Sequence, residues 1–331
     1  MLKELTKKLL QLVSLEHLKW KRLPNGIYCF NYHRIGDAKG SAYDPNVFSC
    51  TTSQFKKHVD FYQSEFEVIN ESKLCELIEL QKPLTKKYAV ITFDDGYIDN
   101  YTEAFPILRD ANCPAILYIA TDFISDRIIP WWDEVAWLVK NNPPAAIQKL
   151  NWQLPNNFTS LSIEQKIRTV LRSIKDNPNK SIETKLAELR EVAQSTIERD
   201  ELTREPLFMS WDMLSEMRAQ GIDIGSQTCS HPILAHLDDE QQRFELTTSK
   251  EILEQHIGHS IRSIAYPVGG VDAFNKTTEK LAKETNYTFG MSFIPGLNES
   301  VSQHNIYSLR RFSIDTNINT DGIKRQVCKF L

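Results

Sequence analysis

The stretch Ala89-Val90-Ile91-Thr92-Phe93-Asp94-Asp95-Gly96-Tyr97 is an apolar run that stops abruptly at two adjacent carboxylates and a glycine. A short strand buried on both faces reads this way. The carboxyl end of such a strand in a parallel sheet is where α/β folds present reactive groups. Adjacent strand residues point to opposite faces, so Asp94 and Asp95 can converge only if the strand ends there and the chain turns. Gly96 permits that turn. An Asp-Gly turn in an ordinary loop gives the same letters, so the stretch does not define a site alone.

A second strand with a glycine ends in the same manner, in Asp223-Ile224-Gly225-Ser226-Gln227-Thr228-Cys229-Ser230-His231-Pro232-Ile233-Leu234-Ala235-His236. Pro232 puts His231 on a bend rather than inside a helix. With these two, the candidate strands are Ile27–Tyr32, Tyr88–Phe93, Ala115–Ala120, Ile222–Gly225, Ile261–Tyr266 and Tyr287–Phe293, and Phe312-Ser313-Ile314 begins a last one. Helical patterns such as Ser53–Ser64 and Phe244–His256 lie between them. Alternating β and α units predict a mostly parallel sheet, open or closed into a barrel.

The segment 127–206 reads differently. Ile163, Ile167, Val170, Leu171 and Ile174 form one apolar stripe behind a Ser162/Gln165 capping box, and Ile182, Leu186, Leu189, Ala193 and Ile197 form another behind Ser181. This is a helical insertion. At the other end, Leu2, Leu5, Leu9 and Leu12, with Leu10 and Val13, recur at helical spacing between lysines. Residues 1–22 are therefore expected to form an amphipathic helix that packs on its own domain or contacts a membrane peripherally. Charges interrupt every apolar run there, unlike a secretory signal, and no run approaches the ~18 apolar residues of a membrane span.

A net charge of -4 over 331 residues argues against an electrostatic nucleic-acid binder. The six cysteines, with no Cys-x-x-Cys pair, read as buried thiols of a reducing compartment rather than a disulfide framework. A cytoplasmic protein is the expectation, with membrane-peripheral attachment as the variant.

In combination these motifs resemble the NodB-homology polysaccharide deacetylases (carbohydrate esterase family 4). The first motif of that family, Thr-Phe-Asp-Asp-Gly, stands intact as Thr92–Gly96. The second, His-Ser/Thr-x-x-His-Pro, is matched by Gln227–Pro232, and Ile264–Gly269 is similar to the third. The resemblance covers residues 25–125 and 207–312. Tyr32-His33 is similar to a segment of the poly-N-acetylglucosamine deacetylase branch, whose members lack the late Leu-x-His motif of the wider family, as this chain does.

The resemblance implies a distorted (β/α) barrel with fewer than eight regular strands, built from 23–126 and 207–331 and carrying the insertion 127–206. It implies a hydrolase that removes an N-acetyl group from an amino sugar or saccharide. Asp94 would be the general base, His33 the general acid that protonates the leaving amine, and Asp95 and His231 ligands of a divalent metal ion, with zinc expected. Such an ion lowers the pKa of its water from ~15.7 towards ~7 and polarises the acetyl carbonyl, and an imidazole with a pKa near ~6.5 suits proton donation at neutral pH.

Gln227 departs from the pattern, because it stands where the family has a histidine. It offers only an amide oxygen, a weaker and harder donor than imidazole, yet it joins the expected ligand set. His236 fits neither the family spacing nor one helical face with His231. The departure keeps a second reading open: a metal-free descendant that binds carbohydrate without cleaving it. An aspartyl-phosphate phosphatase would need Asp-x-Asp spacing, and these carboxylates are adjacent. Tyr266 and Pro267 are the expected substrate contacts, joined by Trp131 and Trp132, which either stack on sugar faces or anchor packing. Arg311 is grouped with them; Arg310 or Arg311 is expected either to orient an active-site carboxylate or to be exposed surface charge.

Overall fold

The computed structural model describes residues 17–126, 128–150, 152–175, 181–193, 206–302, 305–315 and 318–330. Among these described residues there are ten strands: β1 Gly26–Tyr32, β2 Arg34–Ile35, β3 Phe48–Cys50, β4 Glu67–Val68, β5 Lys87–Phe93, β6 Ile116–Ile119, β7 Asp223–Ser226, β8 Ser263–Ala265, β9 Phe289–Met291 and β10 Arg311–Ser313. Seven of them run in the order β10-β1-β5-β6-β7-β8-β9, every neighbour parallel, with β4 beside β5. The ends of this path nearly meet. Leu309, just before β10, donates to Gly290 and accepts from Ser292, and Met291 and Leu309 form a parallel bridge. The architecture is the distorted (β/α) barrel that the sequence implied.

Period-two alternation sorts the strand residues. Ile27 and Cys29 of β1, Val90 of β5, Tyr118 of β6 and Phe289 and Met291 of β9 share one apolar cluster. Tyr28, Phe30 and Tyr32, Ala89, Ile91 and Phe93, and Leu117 and Ile119 share a larger one with the surrounding helices. The two clusters line opposite faces of one sheet. At the carboxyl ends the first face becomes polar, with buried Asn31, Thr92 and Arg311. The alternation that builds the core thus also delivers a polar layer to the top of the barrel.

Strands over 261–266 and 287–293 shrink to three residues each, because the chain bends into loops at both ends. Helices Thr52–Glu65 (α1) and Asp239–Ile257 (α2) carry complete capping boxes, Thr51/Gln54 and Asp238/Gln241. In the segment rich in helical stripes, Trp131–Asn141 (α3), Ile163–Lys175 (α4) and Ile182–Ala193 (α5) bury Val135, Leu138, Val139, Ile167, Val170, Ile174, Leu186 and Leu189 in a core of their own. Ser162 and Gln165 cap α4 reciprocally, and Ser181 accepts from Thr184 N at the start of α5.

Ile197 and most of the amphipathic stretch 1–22 lie outside the described residues; 17–21 are helical. All six cysteines are buried. No helix among the described residues is long and apolar enough to cross a membrane.

Candidate active site

The β5 strand ends at Phe93, and the turn begins one residue earlier than its glycine requires. Asp95 itself has φ 75°, followed by Gly96 at φ 87°. Thr228, His231 and Val268 on neighbouring loops also have φ between 62° and 71° or, for His231, 60°. Left-handed backbone at residues with side chains costs about 1–3 kcal/mol each. Four such positions gather at one end of the barrel, where the fold must aim side chains against their backbone preference.

The turn separates the two carboxylates. Asp94 points to the barrel axis, where Arg311 donates to both of its oxygens, Nη1 to Oδ1 at 2.7 Å and Nη2 to Oδ2 at 2.9 Å. Asn31 Nδ2 donates to Oδ2 at 3.2 Å. Arg311 Nη1 also reaches Asn31 Oδ1, to which Thr92 donates, so the polar layer is one hydrogen-bonded unit. Arg311 is fully buried. It is the arginine that meets a carboxylate; Arg310 is exposed.

Asp95 faces the β7 loop. His231 Nε2 stands 3.4 Å from its Oδ1, and Gln227 Oε1 accepts from its backbone N–H at 2.7 Å. Burial alone would raise the Asp95 pKa, but the His231 imidazole, the charge of His33 and the Gln227 side chain outweigh it and hold the carboxyl below its usual range. Oδ1 nevertheless has no hydrogen-bond partner. A buried carboxylate oxygen without a partner is costly, and a cation placed between Asp95 and His231 would satisfy it.

Carboxylate oxygen and imidazole nitrogen are ordinary donors for a divalent ion, so these two residues fit one. The amide oxygen of Gln227 is turned to the Asp95 N–H. Among the described residues no cluster of three or more His, Cys, Asp or Glu side chains is placed to hold a metal.

His33 lies on the other side, with Nε2 4.0 Å from Asp94 Oδ2 and a quarter of its side chain exposed. Its peptide is fixed twice: its N–H donates to Ser49 Oγ and its carbonyl accepts from Asn100 Nδ2. Its ring meets Phe293 edge-on.

These groups line one cavity of about 410 Å³, together with Trp131, Trp132, Tyr266, Val268 and Phe293. Both tryptophans expected as contacts are there, and Trp132 packs edge-on against His231 with ring centroids 5.1 Å apart. Tyr266 lines the wall with its hydroxyl committed to the Tyr307 carbonyl. Pro267 does not line the cavity. It is buried, and Val268, half exposed and at positive φ, presents itself there instead. The bend that turns the third motif outward falls one residue later than its letters suggest. His236, in a 3-10 turn over Leu234–His236, does not line the cavity either.

Sequence reasoning missed Asp44, Asn46 and Lys175, which also line it. Their letters carry no strand-end signal, and only packing of α3 and α4 against the 41–47 loop brings them in.

A parallel barrel carries paired carboxylates on a strained turn after β5, facing a histidine on the loop after β7, the arrangement expected of a deacetylase-type hydrolase. The chain belongs to the polysaccharide deacetylase family, whose model matches residues 81–290. That span holds Asp94, Asp95, Gln227, His231 and Tyr266; His33 and Arg311 lie outside it.

The Bacillus subtilis (strain 168) protein YxkH, named for the same family, is 20% identical over 284 residues, 86% of this chain and 69% of that protein. The poly-β-1,6-N-acetyl-D-glucosamine N-deacetylase of Escherichia coli (strain K12) is 31% identical over 115 residues, 34% of this chain and 17% of that protein. Among solved structures, the Streptococcus pyogenes deacetylase PplD in complex with acetate superposes with a TM-score of 0.60 at 18% identity, covering 92% of this chain and 99% of that one. At that identity the superposition speaks for the fold alone.

Proposed function

We propose that the cavity hydrolyses the N-acetyl group of an amino sugar or short saccharide, releasing acetate and a free amine. The observation that supports this most is the division of labour between the adjacent carboxylates. Asp94 is held by Arg311 and Asn31 and stands 4.0 Å from His33, whereas Asp95 turns its unpartnered oxygen to His231.

Asp95 and His231 would hold a divalent ion, with zinc expected and the Gln227 amide oxygen beside them. When bound, the ion supplies Lewis acidity to the acetyl carbonyl and a more acidic water.

Asp94 keeps lone pairs beyond those used by its partners and faces the cavity, so it can take the proton of the attacking water. Arg311 balances its charge and fixes its plane, which keeps the acceptor lone pair aimed while the water moves in. His33 stands across from it, anchored through its backbone and free at its ring edge, where it can give a proton to the departing nitrogen. Expulsion of an amine without that proton is slow, so acid and base must both be in reach of the same amide. Trp131 and Trp132 offer faces for sugar stacking.

The test is acetate release from N-acetylated amino sugars and short oligosaccharides by wild type, Asp94→Asn and His33→Ala. Release by the wild type and its loss in Asp94→Asn would support the reading. No release from the wild type under metal supplementation would overturn it.

One observation favours a second reading. The Gln227 oxygen is committed to the Asp95 N–H, so the ligand set has two strong donors. A metal-free carbohydrate binder predicts sugar binding that survives Asp94→Asn.

A further inference from the structure

Asp133 is completely buried, and yet it is not part of the cavity wall. It lies in the first turn of α3, and its two oxygens serve different parts of the protein. Oδ1 accepts from the Asp44 N–H at 2.9 Å. Oδ2 accepts from the Tyr97 hydroxyl at 2.7 Å. Tyr97 is two residues beyond Asp95 on the same turn, fully buried, and its oxygen in turn accepts from Trp132 Nε1 at 2.9 Å. Trp132 is the ring against His231.

One carboxylate therefore ties together three things that converge on the cavity: the loop with Asp44 and Asn46, the turn with Asp94 and Asp95, and the indole behind His231. The loop has two more ties to the same helical segment. Lys140 of α3 donates to the carbonyls of Ser41 and Tyr43, and Arg168 of α4 donates to Asn46 Oδ1 at 2.8 Å. No other acidic side chain of α3, α4 or α5 is fully buried among the described residues. A buried carboxylate with both oxygens hydrogen-bonded is a rigid joint, whereas one with a missing partner carries the desolvation cost unrelieved.

We infer that Asp133 is a positioning residue of the active site, holding the Asp94–Asp95 turn and the Trp132–His231 contact through Tyr97, and the groove loop through the Asp44 N–H. This rests on the proposed amide hydrolysis for its kinetic consequence, but not for its structural one. The two arms are separable. Asp133→Asn keeps an oxygen for Asp44 and sets an amide N–H₂ against the Tyr97 hydroxyl, whose proton then has no acceptor. Tyr97→Phe removes the same bond from the other side. Lys140→Met loosens the loop and leaves Tyr97 untouched.

The experiment combines amide hydrogen exchange by mass spectrometry with steady-state kinetics on an N-acetylated saccharide, for these three variants and the Asp133→Asn/Tyr97→Phe double. Asp133→Asn and Tyr97→Phe each speed exchange over 95–100 on the order of tenfold. The double is no faster than the worse single, because both remove one shared bond. Lys140→Met speeds exchange over 41–47 alone.

In kinetics the turn variants lower kcat by about ten- to a hundredfold with KM nearly unchanged, and Lys140→Met raises KM with kcat nearly unchanged. Additive effects in the double, or folded variants whose 95–100 exchange matches the wild type, would overturn the inference. Should Asp133→Asn not fold, Tyr97→Phe carries the test through the same exchange window. A wild type that releases no acetate but shows the exchange pattern would remove the hydrolytic reading and leave the tether standing.

Discussion

Arg311 and Asp94 form a fully buried, two-pronged ion pair across the top of the barrel, with N–O distances of 2.7 and 2.9 Å. The arginine comes from β10 and the aspartate from the end of β5, so the pair also spans β1, which lies between those strands. Removing one member strands the other as an uncompensated buried charge, which costs about 3–5 kcal/mol. Arg311→Met should therefore lower stability by that amount in urea unfolding, besides abolishing activity. Arg311→Met combined with Asp94→Asn should recover much of it, because neither member then carries charge. Equal destabilisation by the single and the double variant would contradict the pair as drawn.

That relationship also marks the limit of what the letters conveyed. The Thr92–Gly96 stretch carried its strand and turn in an apolar run ending at Gly96, and its carboxylates read as a site only together with the Gln227–Pro232 stretch. Arg311 sits far away in sequence, and its aim depends on the Cys29–Arg311 register of the parallel β1–β10 pair, which no local pattern encodes. The bend at Val268 rather than Pro267 is another case: proline restricts φ, but the positive φ that exposes the neighbour is set by packing. Asp133 was invisible for the same reason. In Trp131-Trp132-Asp133-Glu134 it looks like an ordinary acidic residue at a helix start, favoured there by the helix dipole, and only the fold brings Asp44 and Tyr97 to its two oxygens.

Two buried groups away from the cavity should give opposite pH slopes in the same acidic range. Glu71 is buried, accepts from Ser263 and lies near Asp223; desolvation first, and that charge, push its pKa from 4.5 up to about 7. Its contribution to stability is complete below pH 4.5 and is lost as pH rises through about 7. His58 is buried with Nε2 donating to the Ile318 carbonyl and Nδ1 facing the Tyr32 hydroxyl, and burial lowers its pKa from 6.5 to about 4. Its contribution is complete above pH 6.5 and is lost as pH falls through about 4.

Measured against the wild type in urea, Glu71→Gln should therefore gain relative stability between pH 4.5 and 7, and His58→Gln should gain it between pH 6.5 and 4. Each change should be up to about 3 kcal/mol. Parallel stability curves for either variant and the wild type would refute the corresponding shift.

Trp131 gives a specificity test that leaves the acid and base in place. It lines the cavity half-buried at the start of α3, with Lys175 Nζ 5.5 Å from its ring. If its face carries a sugar, Trp131→Ala should raise KM for an N-acetylated oligosaccharide about tenfold, the scale of one aromatic contact with its buried area. The kcat should change little, since Trp131 is not among the side chains that hold Asp94 or His33 in place. A drop in kcat at constant KM would assign Trp131 to packing behind the site instead.

Gln227 sets the remaining question, whether two strong donors suffice to hold the ion. Its oxygen accepts from the Asp95 N–H at 2.7 Å, which fixes the Asp95 backbone but leaves imidazole chemistry to His231 alone. Gln227→His would place a second ring nitrogen beside the unpartnered Asp95 Oδ1 and complete a carboxylate-plus-two-imidazole set of the kind divalent zinc favours. Its other nitrogen then carries the ring proton and cannot accept, so the Asp95 N–H gives up the acceptor that Gln227 supplies. Zinc affinity should then rise by roughly ten- to a hundredfold, read by competition with a chromophoric chelator, and Asp95→Ala should erase the gain. Chelator competition reports binding whether or not acetate is released. Unchanged affinity in a folded Gln227→His protein would mean that the cavity does not bring residue 227 to the ion, and the ligand set proposed from Asp95 and His231 would have to be redrawn.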